Sequence, residues 1–197
     1  VTNSPDDAID LNNCNNILIE RNILFNNTDK GISVGTEQYG ASLENIQINN
    51  NLIVKNKSAI SVKDSSVAYI SNNTLFKNKY GIRAYKKRED YTKGGTAYIQ
   101  NTIFDKSAYE SASADEFSEI TVTNSIVNKK TLKGENNQTG DPNFIDAGSN
   151  NFHLKANSPC IESGKNKQDI GAFISTSSTL SFSQLHLKFK KEEKQTT

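Results

Sequence analysis

The chain of 197 residues contains no methionine, only two histidines and only two cysteines. Because position 1 is a valine, we expect the sequence to be a processed form, or a piece of a longer chain with further domains. With His153 and His186 as its only histidines, the chain is a poor candidate for a zinc site or a histidine-based catalytic triad. Cys14 and Cys160 lie far apart in sequence, which favours two small buried side chains over a disulfide.

A strong net charge and long apolar runs are also missing. The 23 basic residues nearly balance the 22 acidic ones, and a net charge of +1 argues against nucleic acid as the main partner. No apolar run is long enough to predict a membrane span, and no signal peptide is visible. Long segments with helical periodicity are absent before the C-terminal tail, so the sequence predicts an all-β protein.

What the sequence does contain is a repeat of roughly 22 to 29 residues, a spacing typical of solenoids. Its clearest copy spans residues 59–78, where two short alternating strands flank a polar corner. The first strand recurs with the pattern small, apolar, polar, apolar at residues 8–11, 31–34, 59–62 and 81–84. The second recurs at residues 19–25, 48–54 and 70–76, with shorter copies at 99–104 and 122–127.

One coil of such a repeat cannot be stable alone. Ordering costs about 1–2 kcal/mol per residue, whereas each buried isoleucine or valine returns about 1.5–3 kcal/mol. The coils are therefore expected to stack about 4.8 Å apart around a shared aliphatic interior. This register predicts two inward columns, one of Ile9, Ile32, Ile60 and Ile82 and the other of Leu11, Val34, Val62 and Ala84.

Asparagine, with 26 copies, is the commonest residue, and its placement is repetitive. Asn22, Asn51 and Asn73 fall at one corner of successive coils, and Asn101 and Asn124 are the expected continuations. Stacked amides can hydrogen-bond along the axis, and asparagine tolerates the left-handed backbone of a sharp corner. A disordered polar chain is the alternative, but disorder would not keep apolar columns in register.

Polar residues alternate with the inward columns and are expected to face outward. Asp10, Ser33, Ser61 and Arg83 occupy one set of equivalent positions, and Asn12, Gly35, Lys63 and Tyr85 occupy the next. The predicted face thus runs from acidic to basic along the axis. Lysine and arginine can hold uronate carboxylates, and Tyr39, Tyr85 and Tyr91 offer flat surfaces for sugar rings. An ordinary solvated face of mixed charge is the alternative.

Three carboxylates surround the first strand, at Asp6, Asp7 and Asp10. Clusters of oxygen ligands suit calcium, although aspartates at a corner also serve simply to bond backbone amides. The loop 36–44, which contains Glu37 and Tyr39, and the long polar excursion at 86–95 are expected to carry binding groups.

The repeat decays after Val127. We expect coils over residues 1–130, a closing segment over 131–173 and a tail over 174–197. The tail allows an added strand, a helix over the end or a mobile extension. Six apolar residues of the last 60 are expected to plug the open end of the core: Phe144, Phe152, Leu154, Ile161, Ile170 and Phe173.

The coils resemble the right-handed parallel β-helix proteins of the pectate-lyase-like superfamily. The segments DDAID at 6–10 and DKGISVG at 29–35 resemble motifs of that group. The segments DPNF, SPCIESG and DIGAF, at 141–144, 158–164 and 169–173, look like the C-terminal part of secreted bacterial β-helix repeat proteins. The resemblance covers about residues 6–173 and is more specific for fold than for activity.

The resemblance implies a secreted or cell-surface protein that acts on or binds an acidic polysaccharide. Lyases of that superfamily use acidic residues with calcium to neutralise a uronate, and a lysine or arginine as base. By position, Asp7 and Asp10 are the candidate calcium ligands, and Lys30, Lys63 and Arg83 the candidate bases or carboxylate clamps. Glu37, Tyr39, Tyr85 and Lys86 are the candidate substrate-binding residues. No complete lyase signature is present, so a non-catalytic glycan- or protein-binding repeat module is the competing hypothesis.

Overall fold

The computed structural model describes residues 1–38, 40–127 and 133–172. The described chain is almost entirely short strands, with one-turn 3₁₀ helices at Ala147–Ser149 and Lys165–Lys167. No described helix has the length and apolar character that crossing a membrane requires. The strands are β1 (Ile9–Leu11), β2 (Ile17–Glu20), β3 (Ile23–Phe25), β4 (Lys30–Val34), β5 (Ile46–Asn49), β6 (Leu52–Val54), β7 (Ser58–Lys63), β8 (Val67–Ser71), β9 (Thr74–Phe76), β10 (Tyr80–Tyr85), β11 (Thr96–Gln100), β12 (Ile103–Asp105), β13 (Glu110–Ala114), β14 (Glu119–Thr123), β15 (Phe144–Asp146) and β16 (Asn151–Leu154).

Strands β1 to β14 form three parallel sheets, and each coil contributes one strand to each sheet in turn. The first sheet has the order β1-β4-β7-β10-β13, the second β14-β11-β8-β5-β2 and the third β12-β9-β6-β3. Strands that are three apart in sequence are therefore neighbours in space, which is the arrangement of a parallel β-helix. The predicted fold class is confirmed.

The interior columns have the predicted register. Ile9 pairs with Ile32, Ile32 with Ile60 and Ile60 with Ile82. The next column continues from Leu11 through Val34 and Val62 to Ala84 in the same way. Ile32, Ile60 and Ile82 are completely buried, so these columns form the centre of the core.

The first asparagine ladder lies at the corner between the second and third sheets. The Asn51 amide nitrogen and Nδ2 both donate to Asn73 Oδ1, at 2.9 and 3.0 Å. Asn22 donates in the same way to Asn51 Oδ1, at 3.0 and 3.1 Å. Each amide thus satisfies a backbone N–H of the preceding coil, a group that would otherwise be buried without a partner.

The expected continuation of this ladder through Asn101 and Asn124 is wrong by one position. Thr102 and Ser125 occupy the ladder: Asn73 N donates to Thr102 Oγ1, and Thr102 N donates to Ser125 Oγ. Asn101 and Asn124 instead take the preceding position, where φ is 49° in both. That position needs the left-handed backbone, which asparagine adopts more readily than most residues.

A second ladder, which the sequence analysis missed, lies five residues further along each coil. Asn27 donates from N and Nδ2 to Asn56 Oδ1, and Asn56 donates likewise to Asn78 Oδ1, all within 3.0 Å. The signal was present as a constant spacing of five residues between the two asparagines in each coil. Asn56 and Asn78 are 2% exposed or less, so this corner is sealed as fully as the first.

The closing segment packs against the side of the helix, so the prediction that it plugs the open end is wrong. Strands β15 and β16 form an antiparallel hairpin whose Phe144 and Phe152 contact Phe76 edge to face. Phe76 belongs to the outer face of the third sheet, as do three further apolar residues of the same cluster, Leu52, Val54 and Ile103. The hairpin therefore buries the apolar outer face of the third sheet. Phe173 lies outside the described residues.

Pairing with the sheets also extends beyond the strands that form the coils' regular ladders. The N-terminal residues pair with the third sheet through a parallel bridge from Thr2 to Phe25. The passage 105–119 contains β13. Beyond β14, Ile126 forms a parallel bridge to Gln138. The division into coils, closing segment and tail stays a prediction, and residues 174–197 lie outside the described part.

Both cysteines are free, and the predicted burial holds for Cys160 but not fully for Cys14. Cys14 is half-buried, and Cys160 is fully buried within the cluster that holds the closing segment. Burial raises the pKa of the Cys160 thiol to about 12. Cys160 therefore behaves as an apolar core residue at physiological pH.

The ladder gives a first test of the fold. Asn51→Ala removes an acceptor for Asn22 N and a donor to the Ile19 carbonyl, which lies 3.0 Å from Asn51 Nδ2. We expect a loss of about 3 kcal/mol in the free energy of unfolding, since each buried group left unpaired costs ~1–3 kcal/mol. Denaturant titration measures this, with the exposed Asn157→Ala as control; equal effects of the two variants would contradict the ladder's role.

The closing segment gives a second test. Phe152→Ala removes a ring, 3% exposed, that contacts both Phe76 and Phe144. We expect a loss of about 3–5 kcal/mol for the segment, with local opening of residues 141–172 while β4, β7 and β10 stay protected. Hydrogen exchange read by mass spectrometry reports this directly. Uniform loss of protection along the whole chain would show that the segment and the coils unfold as one unit.

Candidate functional site

Two loops cover part of the outer face of the first sheet. The excursion at 86–95 folds back over the loop at 36–44: Arg88 Nη1 donates to the Glu37 carbonyl at 2.7 Å. The Tyr91 hydroxyl contacts the carbonyls of Gln38 and Ala41, at 2.6 and 2.8 Å. Tyr91 is only 6% exposed, so it fastens two loops together and offers no surface to a sugar, which corrects the expectation for it.

A buried carboxylate holds the second loop at its root. Asp64, 1% exposed, accepts hydrogen bonds from the backbone N–H groups of Lys87, at 2.7 Å, and Arg88, at 3.1 Å. These bonds fix the two basic residues at the rim of the first sheet. The loop is therefore anchored at two points, by Asp64 at its start and by Tyr91 near its tip.

Between these loops and the first coil lies a cleft of about 390 Å³, here called the charged cleft. Five of the nine predicted site residues line it: Asp7, Asp10, Lys30, Glu37 and Lys63. The other lining residues are Asp6, Asn12, Asp29, Gly35, Thr36, Asp64, Lys87 and Arg88. In-register stacking of β1, β4 and β7 brings Asp10, Lys30 and Lys63 together, and the fold-back of the 86–95 loop adds Lys87 and Arg88.

The acidic end of the cleft is an ion-pair cluster. Lys30 Nζ lies 3.2 Å from Asp7 Oδ1 and 2.6 Å from Asp29 Oδ2. The backbone N–H of Lys30 also donates to Asp7 Oδ1, at 2.9 Å. Asp6, Asp7 and Asp29 each place a carboxylate oxygen within 4.8 Å of the other two. Asp10 lines the same cleft but stands outside this trio.

The cluster shifts the titration of its members. Burial alone would raise the pKa of Asp29, but its bonds to Lys30 and Lys57 outweigh this and hold the pKa below its usual value. Burial would lower the pKa of Lys30, and the two carboxylates raise it instead. Lys30 is therefore a firmly protonated partner of the acids and is poorly suited to act as a base at neutral pH.

Lys63 has the opposite environment. Its side chain is 7% exposed, and Nζ donates to the Ser33 hydroxyl at 2.8 Å. In the described part of the chain it forms no ion pair. Burial lowers the pKa of Lys63; the charge of Asp10 opposes the shift, and those of Lys87 and Lys30 reinforce it. At the middle of the outward face, two loops thus bury Lys63. This part of the face differs from the solvated surface of mixed charge that was the alternative.

Gly35 makes the position of Lys63 possible. A β-carbon at residue 35 would lie 2.8 Å from Lys63 Cε and 3.0 Å from Lys63 Cβ, closer than unbonded carbons approach. The lysine stem therefore crosses the first sheet over a residue that has no side chain.

The remaining predicted residues lie apart from the cleft. Arg83 sits over the rings of Tyr80 and Tyr85, at 4.6 and 5.1 Å from their centroids. Lys86 contacts the Phe117 ring at 4.2 Å and pairs with Glu89 at 3.5 Å. Tyr85 is half-buried, and burial raises its pKa. These three residues continue the same face beyond the cleft, and Tyr39 lies outside the described residues.

Several cleft residues were not among the predicted site residues, namely Asp6, Asp29, Asp64, Lys87 and Arg88. Asp29 had a usable signal, since it precedes Lys30 at the start of the second coil as Asp6 and Asp7 precede the first strand. Asp64, Lys87 and Arg88 depend on how a loop folds back over another coil. Such long-range packing is not encoded in the repeat.

In a comparison with protein families, residues 1–95 fit the family model described as the right handed beta helix region. Together with the three stacked parallel sheets, this settles the class. The protein is a right-handed parallel β-helix repeat protein. Comparisons of this β-helix with curated proteins and with solved structures give no match. Its closer relationship to the pectate-lyase-like superfamily stays a prediction.

The chemistry of the acidic trio fits calcium in this β-helix, since three carboxylates that converge within 4.8 Å form a hard oxygen donor set. Lys30 already supplies positive charge there, because its ammonium contacts both Asp7 and Asp29. A calcium ion on the trio would compete with Lys30 for the same oxygens. Asp7 is thus a candidate ligand with Asp6 and Asp29, and the role predicted for Asp10 stays a prediction.

This competition can be tested with Lys30→Gln. We expect the free energy of unfolding to fall by about 2 kcal/mol, as charged hydrogen bonds are lost, and calcium affinity to rise by at least roughly tenfold, as an internal cation is removed. Calorimetric titration with calcium chloride measures the affinity. Lys79→Gln, an exposed lysine outside the cleft, is the control. Equal calcium affinity in wild type and Lys30→Gln would contradict the competition.

Proposed function

We propose that the charged cleft binds an acidic polysaccharide and that Lys63 acts there as the base of a β-elimination. The observation that carries the proposal is Lys63 itself, a buried lysine with a lowered pKa at the centre of a cleft. Perturbed ionisable groups in clefts are common at active sites, because catalysis requires a pKa near the working pH. Lys30, by contrast, is a structural partner of Asp7 and Asp29 and does not act as the base.

The charge of the cleft sets a condition on the ligand. Its lining has six acidic and four basic side chains, an excess of two negative charges. A polyanion would be repelled from the acidic end unless a divalent cation lay there. Calcium on Asp6, Asp7 and Asp29 would supply charge that neutralises a uronate carboxylate. The Arg88 guanidinium is already paired with Asp90 and with the Glu37 carbonyl. Lys87, whose backbone N–H is held by Asp64, is therefore the basic residue of the lining that would receive the next carboxylate.

The proposed reaction is a β-elimination at the uronate. Neutral Lys63 Nζ takes the proton on the carbon next to the uronate carboxyl, and the electron pair forms a carbon–carbon double bond as the glycosidic C–O bond breaks. The leaving oxygen takes a proton from water, and the resulting hydroxide takes the proton from Lys63. The products are one unsaturated end, which absorbs ultraviolet light, and one new hydroxyl end.

The pH dependence has a definite sign. Lys63 is active as a base only when neutral, so the rate should rise with pH and level off above its pKa. Because burial lowers that pKa below 10.5, the plateau should be reached below the pH at which an ordinary lysine titrates. The rate of ultraviolet product formation from polygalacturonate or alginate with calcium, measured across pH, tests this.

Lys63→Arg separates catalysis from binding. Arginine keeps the positive charge but is not deprotonated in this range, so turnover should fall at least roughly a hundredfold while polymer binding remains. Gly35→Ala, which displaces Lys63 without changing any charge, should also lower turnover. Lys106→Arg, exposed and outside the cleft, is the control. Turnover in Lys63→Arg equal to that of the wild type would exclude Lys63 as the base.

A non-catalytic glycan-binding module is the second candidate, and the Lys30 cluster favours it. Lys30 already neutralises Asp7 and Asp29, two of the three carboxylates that calcium would need. Such ion pairs are sufficient for a cluster with a purely structural role. This candidate predicts retardation of the protein in gels that contain polygalacturonate or alginate, with no unsaturated product. Either function would suit a secreted or cell-surface protein, where acidic polysaccharides and calcium are both abundant.

A further inference from the structure

The outer face of the second sheet carries a separate groove that no described part of the chain covers. Its central column follows the strand register from Leu18 through Gln47, Tyr69 and Tyr98 to Thr121. Three of these side chains are large and well exposed: Leu18 at 54%, Tyr69 at 49% and Tyr98 at 43%. Large apolar side chains that are exposed together on a rigid sheet face are typical of a binding surface.

The two tyrosines form a fixed pair. Their ring centroids are 5.5 Å apart and their planes differ by 21°. The pairing of Tyr69 with Tyr98 across β8 and β11 sets this spacing, so the rings are positioned by the backbone ladder. The neighbours in the column, Gln47 and Thr121, are not aromatic. The outer face of each ring is therefore bordered by a smaller or flexible polar side chain.

The lining of this groove, about 650 Å³ in volume, carries no charged residue. Along one flank it presents side-chain amides and hydroxyls, from Asn49, Gln100 and Thr123 among others. This contrasts with the charged cleft and with the chain as a whole, in which 23% of residues are charged. Amides and hydroxyls both donate and accept hydrogen bonds, as the hydroxyl groups of a sugar do.

We propose that this neutral groove binds an uncharged oligosaccharide, whose chain runs along the helix axis from Gln47 to Thr121. That distance is three coil steps, about 14 Å at ~4.8 Å per step, which is room for a few sugar units. The tyrosine pair supplies apolar ring surface, and the amides and hydroxyls bind the sugar hydroxyls. A polyanion or nucleic acid finds no cation in this groove, so the lining itself selects an uncharged ligand.

The test is electrophoresis of the full chain in native gels that contain neutral soluble β-glucan, arabinoxylan or galactomannan. We expect at least one of these polymers to retard the wild type. Tyr69→Ala with Tyr98→Ala should weaken the binding by roughly tenfold, because both ring contacts are lost. Tyr109→Ala, an exposed tyrosine elsewhere at 57%, should leave it unchanged. Gln47→Ala keeps both rings and should also weaken the binding. It replaces the double variant in the test if the double variant does not fold.

Two results would overturn the proposal. One is absence of retardation by all three neutral polymers. The other is retardation that persists unchanged in a folded double variant and in Gln47→Ala. A concentration-dependent dimer that the double variant abolishes, without any retardation, would show that a second copy of the chain occupies the face. The groove is independent of the charged cleft, so binding of polygalacturonate by the double variant should equal that of the wild type.

Discussion

Stacked amides at two buried corners are the constraint on which this structure depends. Asn51 accepts from the backbone and side chain of Asn22, and it donates in turn to Asn73. Asn56 does the same between Asn27 and Asn78. Only a side chain with both a donor and an acceptor can occupy such a position throughout. Because a slip of one residue would turn every strand inside out, these bonds fix which side chains are core and which are surface.

The register gives three outer faces with three different properties. The third sheet is apolar outside, through residues such as Leu52 and Phe76, and the closing segment buries it. The first sheet is charged outside and is partly roofed by loops, which leaves Lys63 buried. The groove on the second sheet is lined by polar but uncharged residues, with Tyr69 and Tyr98 open. One interior of aliphatic columns therefore supports surfaces suited to quite different ligands, as is expected of a repeat scaffold.

Much of this architecture could be predicted from the sequence, because period-two alternation and repeated asparagines are local signals. The columns through Ile32 and Val34 have the predicted partners. The ladder beyond Asn73 was misassigned because the hydroxyls of Thr102 and Ser125 accept the hydrogen bonds that asparagine side chains accept in the earlier coils. The prediction followed the residue type, asparagine, whereas the ladder follows the position in the coil. The charged cleft was predicted in part: stacking alone brings Asp7, Lys30 and Lys63 together. The roles of Asp64 and Tyr91 required the fold-back of one loop on another, and the side-on packing of Phe152 required knowing the outer face of the third sheet.

The most direct test of the ladders is an NMR measurement on protein labelled with ¹⁵N and ¹³C. A hydrogen bond from Asn51 Nδ2 to Asn73 Oδ1 should give a measurable coupling between the Asn51 side-chain nitrogen and the Asn73 side-chain carbonyl carbon. The pair Asn56 and Asn78 should give the same signal, and all four side-chain amides should exchange slowly with solvent. Absence of both couplings, with exchange as fast as that of the exposed Asn157, would contradict the stacked register.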